Sequence, residues 1–359
     1  RPKGAWNSMD WDKLQAVVRK LQARIVKAQK EKRYNKVKAL QRILTTSFAA
    51  KALAVKRVTS NKGKRTAGVD NIKWTTQAQK LEAVASLKRR GYKPLPLKRV
   101  YIAKSNGKKR PLGIPTMKDR AMQALYLMAL EPVTETTADP NSYGFRRYRS
   151  TADAIDALHI MFSHQPNPPQ WVLEGDIKGC FDNISHEWLV DNVQIDKQIL
   201  KKWLKCGAVF NKLLSPTTAG TPQGGIISPT LANATLDGME KMLLKKYRER
   251  YVNGKRYRPK VHLVRYADDF VVSADTRELL EQVKEDLKHF LAIRGLELSE
   301  EKTLITHITE GFDFLGYNIR RYKRNILVKP AKKSVKRFVE KTHEVIFGNK
   351  TAKQEDLIM

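Results

Sequence analysis

The sequence predicts an α+β fold, with helices in its first part and short acid-bearing strands later. Apolar residues recur at helical spacing in residues 14–25 and again in residues 37–48, with lysines and arginines between them. Residues 171–177, 262–264 and 270–272 are short apolar runs of the kind that form strands. The two periodicities together indicate a mixed fold.

Two more segments, residues 188–210 and 231–244, are predicted to be helical. The glycine- and proline-containing residues 219–229 precede the second segment, and such a loop can bring its backbone close to a nucleotide. A basic hairpin is predicted in residues 97–110, because strand-forming residues alternate with cations on both sides of the turn Ser105-Asn106-Gly107.

The most informative feature is the sequence Tyr266-Ala267-Asp268-Asp269, which lies between two apolar runs. This pattern predicts a hairpin with two acids at its tip. Adjacent carboxylates repel each other, so such a hairpin usually holds a cation, and Mg²⁺ prefers oxygen ligands. For these four residues alone, a solvated turn is an equally good interpretation.

A further acid, Asp176, lies at the end of the apolar run in residues 171–177. Acids that are far apart in sequence come together only through tertiary structure. Three carboxylates around two metal ions are what in-line phosphoryl transfer uses, since one ion activates a 3′-hydroxyl and the other steadies the leaving pyrophosphate. The sequence therefore favours a two-metal site that includes Asp176, Asp268 and Asp269.

At this point the chain resembles reverse transcriptases, and among them those encoded by group II introns. The blocks that carry the resemblance follow the family's order and spacing: Asp176 to Phe181, Pro222-Gln223-Gly224, Tyr266-Ala267-Asp268-Asp269, Arg110 to Pro115 with Asp119 and Arg120, Tyr143-Gly144-Phe145-Arg146, residues 295–303, and Phe312 to Gly316. The resemblance covers residues 58–330. Each block alone is a weak signal, whereas the ordered set is specific.

The resemblance implies a right-hand polymerase with a helical, basic N-terminal extension. Residues 1–88 are expected to form the extension and a basic loop, residues 89–170 the fingers, residues 171–320 the palm with the catalytic acids, and residues 321–359 the start of an incomplete thumb. The chain begins with Arg1 instead of Met, so we expect further residues before it in the full gene product.

The resemblance implies that Asp176, Asp268 and Asp269 are the catalytic acids and hold two Mg²⁺ ions together with Ile177. The residues that it implies in nucleotide binding are Lys104, Arg110, Phe181, Gln223 and Lys302. Lys104 and Arg110 of the basic hairpin would contact the triphosphate, unless the hairpin is merely solvated. The Phe181 ring would exclude a 2′-hydroxyl unless it belongs to the core, and Lys302 would give a proton to pyrophosphate unless it is only a surface lysine.

The resemblance also implies contacts with nucleic acid. The template-primer is expected at Arg120, Arg146, Gly224, Tyr266, Phe314, Leu315 and Gly316. Intron RNA is expected on the basic face of the first helix and on the basic loop, at Lys20, Arg24, Lys27, Lys62, Lys64 and Arg65. The alternatives for these two regions are ordinary packing helices and a disordered loop.

Composition agrees with a nucleic-acid partner. The chain of 359 residues has 69 lysines and arginines against 36 acids, a formal net charge of +33. Such a charge favours binding to phosphates in a salt-dependent way. Two cysteines without CxxC spacing and histidines without zinc-ligand spacing give no sign of a fused nuclease. No run is long and apolar enough to span a membrane, and we expect the protein in the cytoplasm.

The sequence thus predicts a group II intron RNA-directed DNA polymerase that uses two Mg²⁺ ions and assists intron splicing as a maturase. Its expected partners are group II intron RNA, a DNA primer or target, and dNTPs. Two alternatives stay open: another bacterial reverse transcriptase, of retron or diversity-generating type, or a non-catalytic RNA-binding splicing cofactor. The helical residues 188–210 and the N-terminal extension argue against the first, and the acids argue against the second.

Overall fold

A computed structural model of the chain describes residues 6–103, 107, 109–163, 167–211, 213–221 and 224–349. In chain order they form α1 (Trp11–Lys30), α2 (Tyr34–Thr46), α3 (Phe48–Ser60), α4 (Gln77–Ser86), β1 (Leu97–Ala103), β2 (Lys109–Ile114), α5 (Met117–Thr137), α6 (Thr151–Ser163), β3 (Trp171–Asp176), α7 (Cys180–Asn183), α8 (His186–Asn192), α9 (Lys197–Leu204), β4 (Ala208–Phe210), β5 (Leu213–Ser215), α10 (Ser228–Leu236), α11 (Met239–Lys246), β6 (Arg250–Val252), β7 (Lys255–Tyr257), β8 (His262–Tyr266), β9 (Asp269–Ala274), α12 (Arg277–Ala292), β10 (Leu304–His307), β11 (Phe312–Phe314), β12 (Tyr317–Tyr322), β13 (Asn325–Pro330) and α13 (Lys332–Gly348). Short 3₁₀ helices cover Trp6–Ser8, Lys62–Arg65 and Glu300–Lys302. The predicted α+β class is confirmed.

The chain divides into two compact units. Unit 1 consists of Arg1–Pro140, Lys178–Gly238 and His289–Glu297. Unit 2 consists of Asn141–Ile177, Met239–Lys288 and Leu298–Met359. Because the chain passes between the units several times, each unit is assembled from segments that are distant in sequence.

The helical part of unit 1 is built around α5. The helices α1, α2 and α3 all contact α5, which is buried on nearly every side. The side chain of Asp10 caps α1 by accepting a hydrogen bond from the Lys13 amide, and Leu21 and Ile25 bury the apolar stripe that the sequence predicts. Among the described residues, no helix has both the length and the apolarity needed to cross a membrane.

Three segments predicted as single helices are interrupted. Ser47 is extended and caps α3, so Phe48 begins a new helix instead of ending α2. Residues 231–244 divide into α10 and α11 at Gly238, which has φ +95° and whose amide donates a hydrogen bond to Asp139. Residues 188–210 divide into α8, α9 and β4, because the Asp196 side chain caps α9.

The sheet of unit 1 has the strand order β2-β1-β4-β5. Strands β1 and β2 pair antiparallel from Lys98 opposite Ile114 to Ala103 opposite Lys109, which confirms the predicted hairpin. Strand β4 pairs parallel to β1, where Leu97 lies opposite Ala208. Residues 208–210 therefore form a strand of this sheet instead of continuing the helix predicted for residues 188–210.

The main sheet of unit 2 has the strand order β10-β3-β9-β8, and all its neighbours are antiparallel. Helix α6 packs against this sheet, and Leu158 and Phe162 form a core with Val172, Val264 and Val271. Strands β11, β12 and β13 form a second antiparallel sheet whose Phe312 and Ile319 join the same core. This packing fixes the ends of β3, β8 and β9, which carry the acids.

Candidate active site

The hairpin of β8 and β9 presents two adjacent acids, as the sequence predicts. Tyr266 pairs with Asp269, so Ala267 and Asp268 form the turn between the strands. Ala267 has φ +58°, in the left-handed region that non-glycine residues seldom adopt. A strained turn of this kind persists only where the surrounding structure holds it.

Strand β3 brings a third acid to the same place. Asp176, the last residue of β3, pairs with Asp269, the first residue of β9. Asp176 and Asp268 are partly buried, whereas Asp269 is exposed. The sheet of unit 2 thus brings together three carboxylates from distant parts of the chain.

The negative charges of Asp176 and Asp268 act on Asp269. Although Asp269 keeps an exposed surface, crowding by neighbouring groups removes part of its hydration and raises its pKa to about 6, and the negative charges of Asp268 and Asp176 add to the rise. Lys302 opposes this repulsion, because its Nζ donates a hydrogen bond of 2.8 Å to a carboxylate oxygen of Asp176. That bond also raises the pKa of Lys302. The remaining excess of negative charge is what a divalent cation would neutralise.

The donor set and its charge fit a divalent cation. Carboxylate oxygens are hard ligands of the type that Mg²⁺ takes. Across the described ranges, however, no group of three or more His, Cys, Asp or Glu side chains is arranged so that it could hold a metal ion. The structure therefore contains an acid cluster with a lysine against Asp176, and not a preformed metal cage.

The segment that carries Tyr143 and Gly144 packs directly against the turn of the hairpin. The Tyr143 amide donates a 2.9 Å hydrogen bond to the Arg265 carbonyl, and the Arg265 amide donates one of 2.9 Å to the Asn141 carbonyl. A Cβ on Gly144 would lie 2.9 Å from the carbonyl carbon of Tyr266 and closer still to the amide nitrogen of Ala267. Only glycine therefore fits beside the turn.

Arg265 holds the same turn from within the protein. Its side chain is 0% exposed, and Nη1 donates a 3.1 Å hydrogen bond to the Ala267 carbonyl. A buried guanidinium is stable only when it is well bonded. The buried Glu240 braces the same segment by accepting hydrogen bonds from the amide and the side chain of Asn141. Arg265 is not among the predicted residues, although an arginine within an otherwise apolar strand is itself a signal.

Glu174 is a second candidate outside the predicted set. It lies two residues before Asp176, and residues at this spacing share one face of a strand. Burial raises the pKa of Glu174 to about 7, and the charge of Asp313 adds to the rise. This carboxyl group is therefore partly protonated near neutral pH. In the sequence its signal is an acid inside an apolar run.

The predicted nucleotide-binding residues fall in both units. Arg110 lies exposed on β2 and Phe181 lies half-buried on α7, both in unit 1, whereas Lys302 lies with the acids of unit 2. Lys104 and Gln223 are outside the described residues. The Phe181 ring is thus not part of the buried core. The predicted roles of all five residues stay predictions.

Within unit 1, the glycine-containing loop before α10 links α7 with β2. The Thr221 amide donates a 2.6 Å hydrogen bond to the Phe181 carbonyl. Gly224, with φ +109°, approaches β2 so closely that a Cβ would lie 2.9 Å from the Gly113 carbonyl oxygen. The predicted approach of this loop to a nucleotide, and its contact with a template-primer, stay predictions.

Arg120, a predicted template-primer residue, is buried. Its guanidinium donates hydrogen bonds to the carbonyls of Gly63 and Thr66. This side chain therefore holds the basic loop in place, and its contact with nucleic acid stays a prediction.

The other predicted template-primer residues belong to unit 2 and differ in how accessible they are. Phe314 is buried in the unit 2 core, where Tyr266 and Leu315 pack against it. Arg146 is partly exposed, and Gly316, in the turn between β11 and β12, is exposed. The contacts of these residues with a template-primer stay predictions.

The predicted RNA-binding cations are all at the surface. Lys20, Arg24 and Lys27 lie on α1 away from its buried stripe. The basic loop is folded, since Lys62–Arg65 form a 3₁₀ helix and Arg120 bonds to its backbone. Both regions present positive charge to solvent, and their binding of RNA stays a prediction.

Comparison with known proteins decides the family. A model of the family "Reverse transcriptase (RNA-dependent DNA polymerase)" matches residues 102–319, and a model of the N-terminal domain of reverse transcriptase matches residues 6–87. The chain belongs to the reverse transcriptase family. This membership confirms both the resemblance and the predicted right-hand polymerase fold with N-terminal helices.

The relatives of this reverse transcriptase chain include group II intron proteins. It is 34% identical to the group II intron-encoded protein LtrA of Lactococcus lactis subsp. cremoris, over 82% of this chain and 58% of that protein. It is 35% identical to protein YkfC of Escherichia coli, over 79% of this chain and 84% of that protein. It is 24% identical to maturase-like protein 1 of Euglena gracilis, over 94% of this chain and 70% of that protein. The chain thus spans little more than half the length of the Lactococcus protein.

Proposed function

We propose that the chain is an RNA-directed DNA polymerase of a group II intron and that it assists splicing of the intron RNA as a maturase. The observation that carries the proposal is the pairing of Asp176 with Asp269 beside Asp268, with Lys302 bonded to the first acid. The similarity to a group II intron-encoded protein and to a maturase-like protein supports the intron as the partner.

In this proposal, Asp176, Asp268 and Asp269 hold two Mg²⁺ ions together with Ile177. When bound, the ions would activate the 3′-hydroxyl of a DNA primer and neutralise the charge of the leaving pyrophosphate. The chain's own residues have two roles: they hold the acids in position, and they donate a proton. Arg265 and Gly144 fix the turn that carries Asp268. The Lys302 ammonium beside Asp176 can donate a proton to a phosphate oxygen.

Primer extension tests the polymerase activity directly. The chain is incubated with an RNA template, a DNA primer, dNTPs and Mg²⁺, and we expect DNA products up to the template end that disappear when EDTA removes the metal. Absence of extension by the folded parent chain would overturn the polymerase proposal. Splicing of a group II intron RNA, measured with and without the chain, tests the maturase part separately.

The Phe181 ring is proposed to exclude ribonucleotides. We expect Phe181→Val to improve ribonucleotide incorporation relative to dNTP incorporation by about 10- to 200-fold, the range for small changes in pocket volume. Steady-state incorporation of each nucleotide by parent and variant measures this ratio. Phe210→Val makes the same change at an exposed ring of unit 1 and should leave the ratio unchanged. Equal discrimination by the parent and Phe181→Val would remove the ring from the sugar pocket.

The exposed face of α1 is proposed to bind intron RNA. We expect Lys20→Glu, Arg24→Glu and Lys27→Glu together to weaken binding of structured intron RNA and to flatten its salt dependence, because fewer phosphates are neutralised. Extension of a short template-primer should remain. A binding titration and an extension assay on the same preparations separate the two activities. If both activities fall together, α1 acts on folding or on the polymerase cleft, and its separate docking role is wrong.

A further inference from the structure

Unit 1 contains a cavity of about 1210 Å³ that the proposed function does not use. Its walls come from α2, α3, α5 and the segments of residues 87–91 and 191–198. Pockets for small ligands usually measure about 300–1,000 Å³. This cavity is therefore large enough for a segment of a polymer.

The cavity collects positive charge that no acid neutralises. The cations that line it and have no acidic partner in the described part of the chain are Lys38, Arg42, Lys51, Lys88, Arg90 and Lys202, and of these Lys202 donates a hydrogen bond to the Tyr92 carbonyl. The acids that line it, Asp196 and Asp191, are already paired with Arg89 and Lys197. The ligand that this arrangement favours is a polyanion.

Two of these cations, Lys51 and Lys88, line the cavity together and repel each other. Lys51 is half-buried on α3, and its burial together with the charge of Lys88 lowers its pKa. Like charges in such a position destabilise the folded chain unless an anion lies near them. The surroundings of Lys51 and Lys88 are therefore the part of the cavity where a bound phosphate would contribute most.

The wall formed by α2 also offers an aromatic ring. Tyr34, Lys38 and Arg42 follow one another at a spacing of four residues, so they share one face of the helix. Tyr34 is 47% exposed at this wall, and Met122 and Leu125 of α5 add apolar surface to the lining. Cations for phosphates beside a ring on which a base can stack are the recognition chemistry of single-stranded nucleic acid.

We propose that this cavity binds unpaired nucleotides of an RNA partner, with phosphates on Lys51 and Lys88 and a base against Tyr34. A duplex carries its phosphates on a convex surface, whereas an unpaired segment can splay its bases into a cavity. The proposal rests on the proposed function, because that function supplies RNA as the partner. Single-stranded DNA shares the same phosphate and base chemistry, so the test includes it.

The test compares two variants of the full chain with equal loss of charge. The cavity variant carries Lys38→Gln, Arg42→Gln and Lys88→Gln. The control variant carries Lys241→Gln, Lys245→Gln and Lys255→Gln, which are exposed residues of unit 2 outside the cavity. Binding is titrated over a range of KCl concentrations with a stem-loop RNA that has a uridine loop, with the same stem as a blunt duplex, and with single-stranded oligodeoxyuridine. Thermal unfolding checks that both variants are folded.

The cavity variant should lose at least about tenfold in affinity for the stem-loop RNA. Its salt slope should fall by about 2, since three cations are removed and each neutralised phosphate of a single strand contributes about 0.7. The loss on the blunt duplex should not exceed that of the control variant. Equal losses by both variants on the stem-loop, or an equal loss by the cavity variant on the duplex, would overturn the proposal. Parent binding of oligodeoxyuridine as tight as that of the RNA loop would overturn the choice of RNA.

Lysine acetylation followed by mass spectrometry gives a readout on the parent chain. Stem-loop RNA should slow acetylation of Lys51 and Lys88 at least about tenfold more than that of Lys241 and Lys245, and equal rates would overturn the proposal. Extension of a short template-primer is measured on the same preparations and should be unchanged by the cavity variant. Failure of the parent to extend a primer would count against the proposed function alone, because protection of Lys51 would still be observed.

Discussion

Asp268→Asn is expected to abolish primer extension while RNA binding stays largely intact. The substitution removes a negative charge from the cluster that Asp268 forms with Asp176 and Asp269, and it leaves the exposed cations of α1 unchanged. Mutation of a residue that only supports a metal ligand costs about 10- to 100-fold, so loss of a ligand itself should lower the rate by at least about tenfold. Single-turnover extension on an RNA template measures the rate, and a binding titration measures the affinity for RNA.

Asp275→Asn is the matched control for this prediction. Asp275 follows the opposite end of β9 and pairs with Lys260 at 2.7 Å. The Lys260 side chain is only 8% exposed, so loss of this charge can lower stability, and thermal unfolding must show that the variant is folded; the folded variant should keep the activity of the parent because the pair lies away from the acids. Extension by Asp268→Asn at more than about a tenth of the parent rate would contradict the metal assignment. An equal loss in both variants would indicate a general effect of charge or folding.

The two hairpins could be predicted from the sequence because their signals are local. Alternation of strand formers, with a turn between them, is enough to place β1 against β2 and β8 against β9. Local signals do not predict that Asp176 lies opposite Asp269, because two strands that are distant in the sequence must pair in one register. The motif order of a known family supplied that information, since it implies one tertiary arrangement.

The interrupted helices were missed because apolar spacing continues across a helix end. Val37, Leu44 and Phe48 keep a helical period although Ser47 caps a new helix between them. The capping serine is a local signal that outweighs the apolar spacing, because its side chain accepts a hydrogen bond from the Ala50 amide at the start of the new helix. Gly238 gives the same kind of signal between α10 and α11, since its positive φ ends the first helix.

The roles of buried charged residues could not be predicted, because tertiary packing decides them. Arg120 matches a family block as well as Arg110 does, yet Arg120 is buried against the carbonyls of Gly63 and Thr66 while Arg110 is exposed. Lys51 on α3 and Lys88 in the segment after α4 belong to no sequence motif. They line one cavity only because tertiary packing brings these two elements together. Sequence spacing carries no record of such contacts.

Gly144→Ala is expected to lower the rate of primer extension by about 100-fold, because a displacement of about 1 Å at a reacting group costs about that factor. The added Cβ would meet the backbone of Tyr266 and Ala267, and backbone atoms cannot move aside as a flexible side chain can. The turn that holds Asp268 must therefore shift. Rapid-quench extension measures the rate, and RNA affinity should stay close to that of the parent because no cation is changed.

Gly348→Ala is the matched control for this substitution, since it adds the same methyl group on α13 where, among the described residues, no atom outside the backbone of its own helix lies within 4 Å. It should extend primers as the parent does. Overpacking at Gly144 also lowers the free energy of unfolding by about 1–3 kcal/mol, so the assay must be run well below the melting temperature of the variant. Under those conditions the folded fraction is nearly complete, and a lower rate reports the position of the turn. A parent-like rate in Gly144→Ala would show that the acids tolerate the shift. The contacts of Gly144 and Arg265 with the turn would then have no part in catalysis.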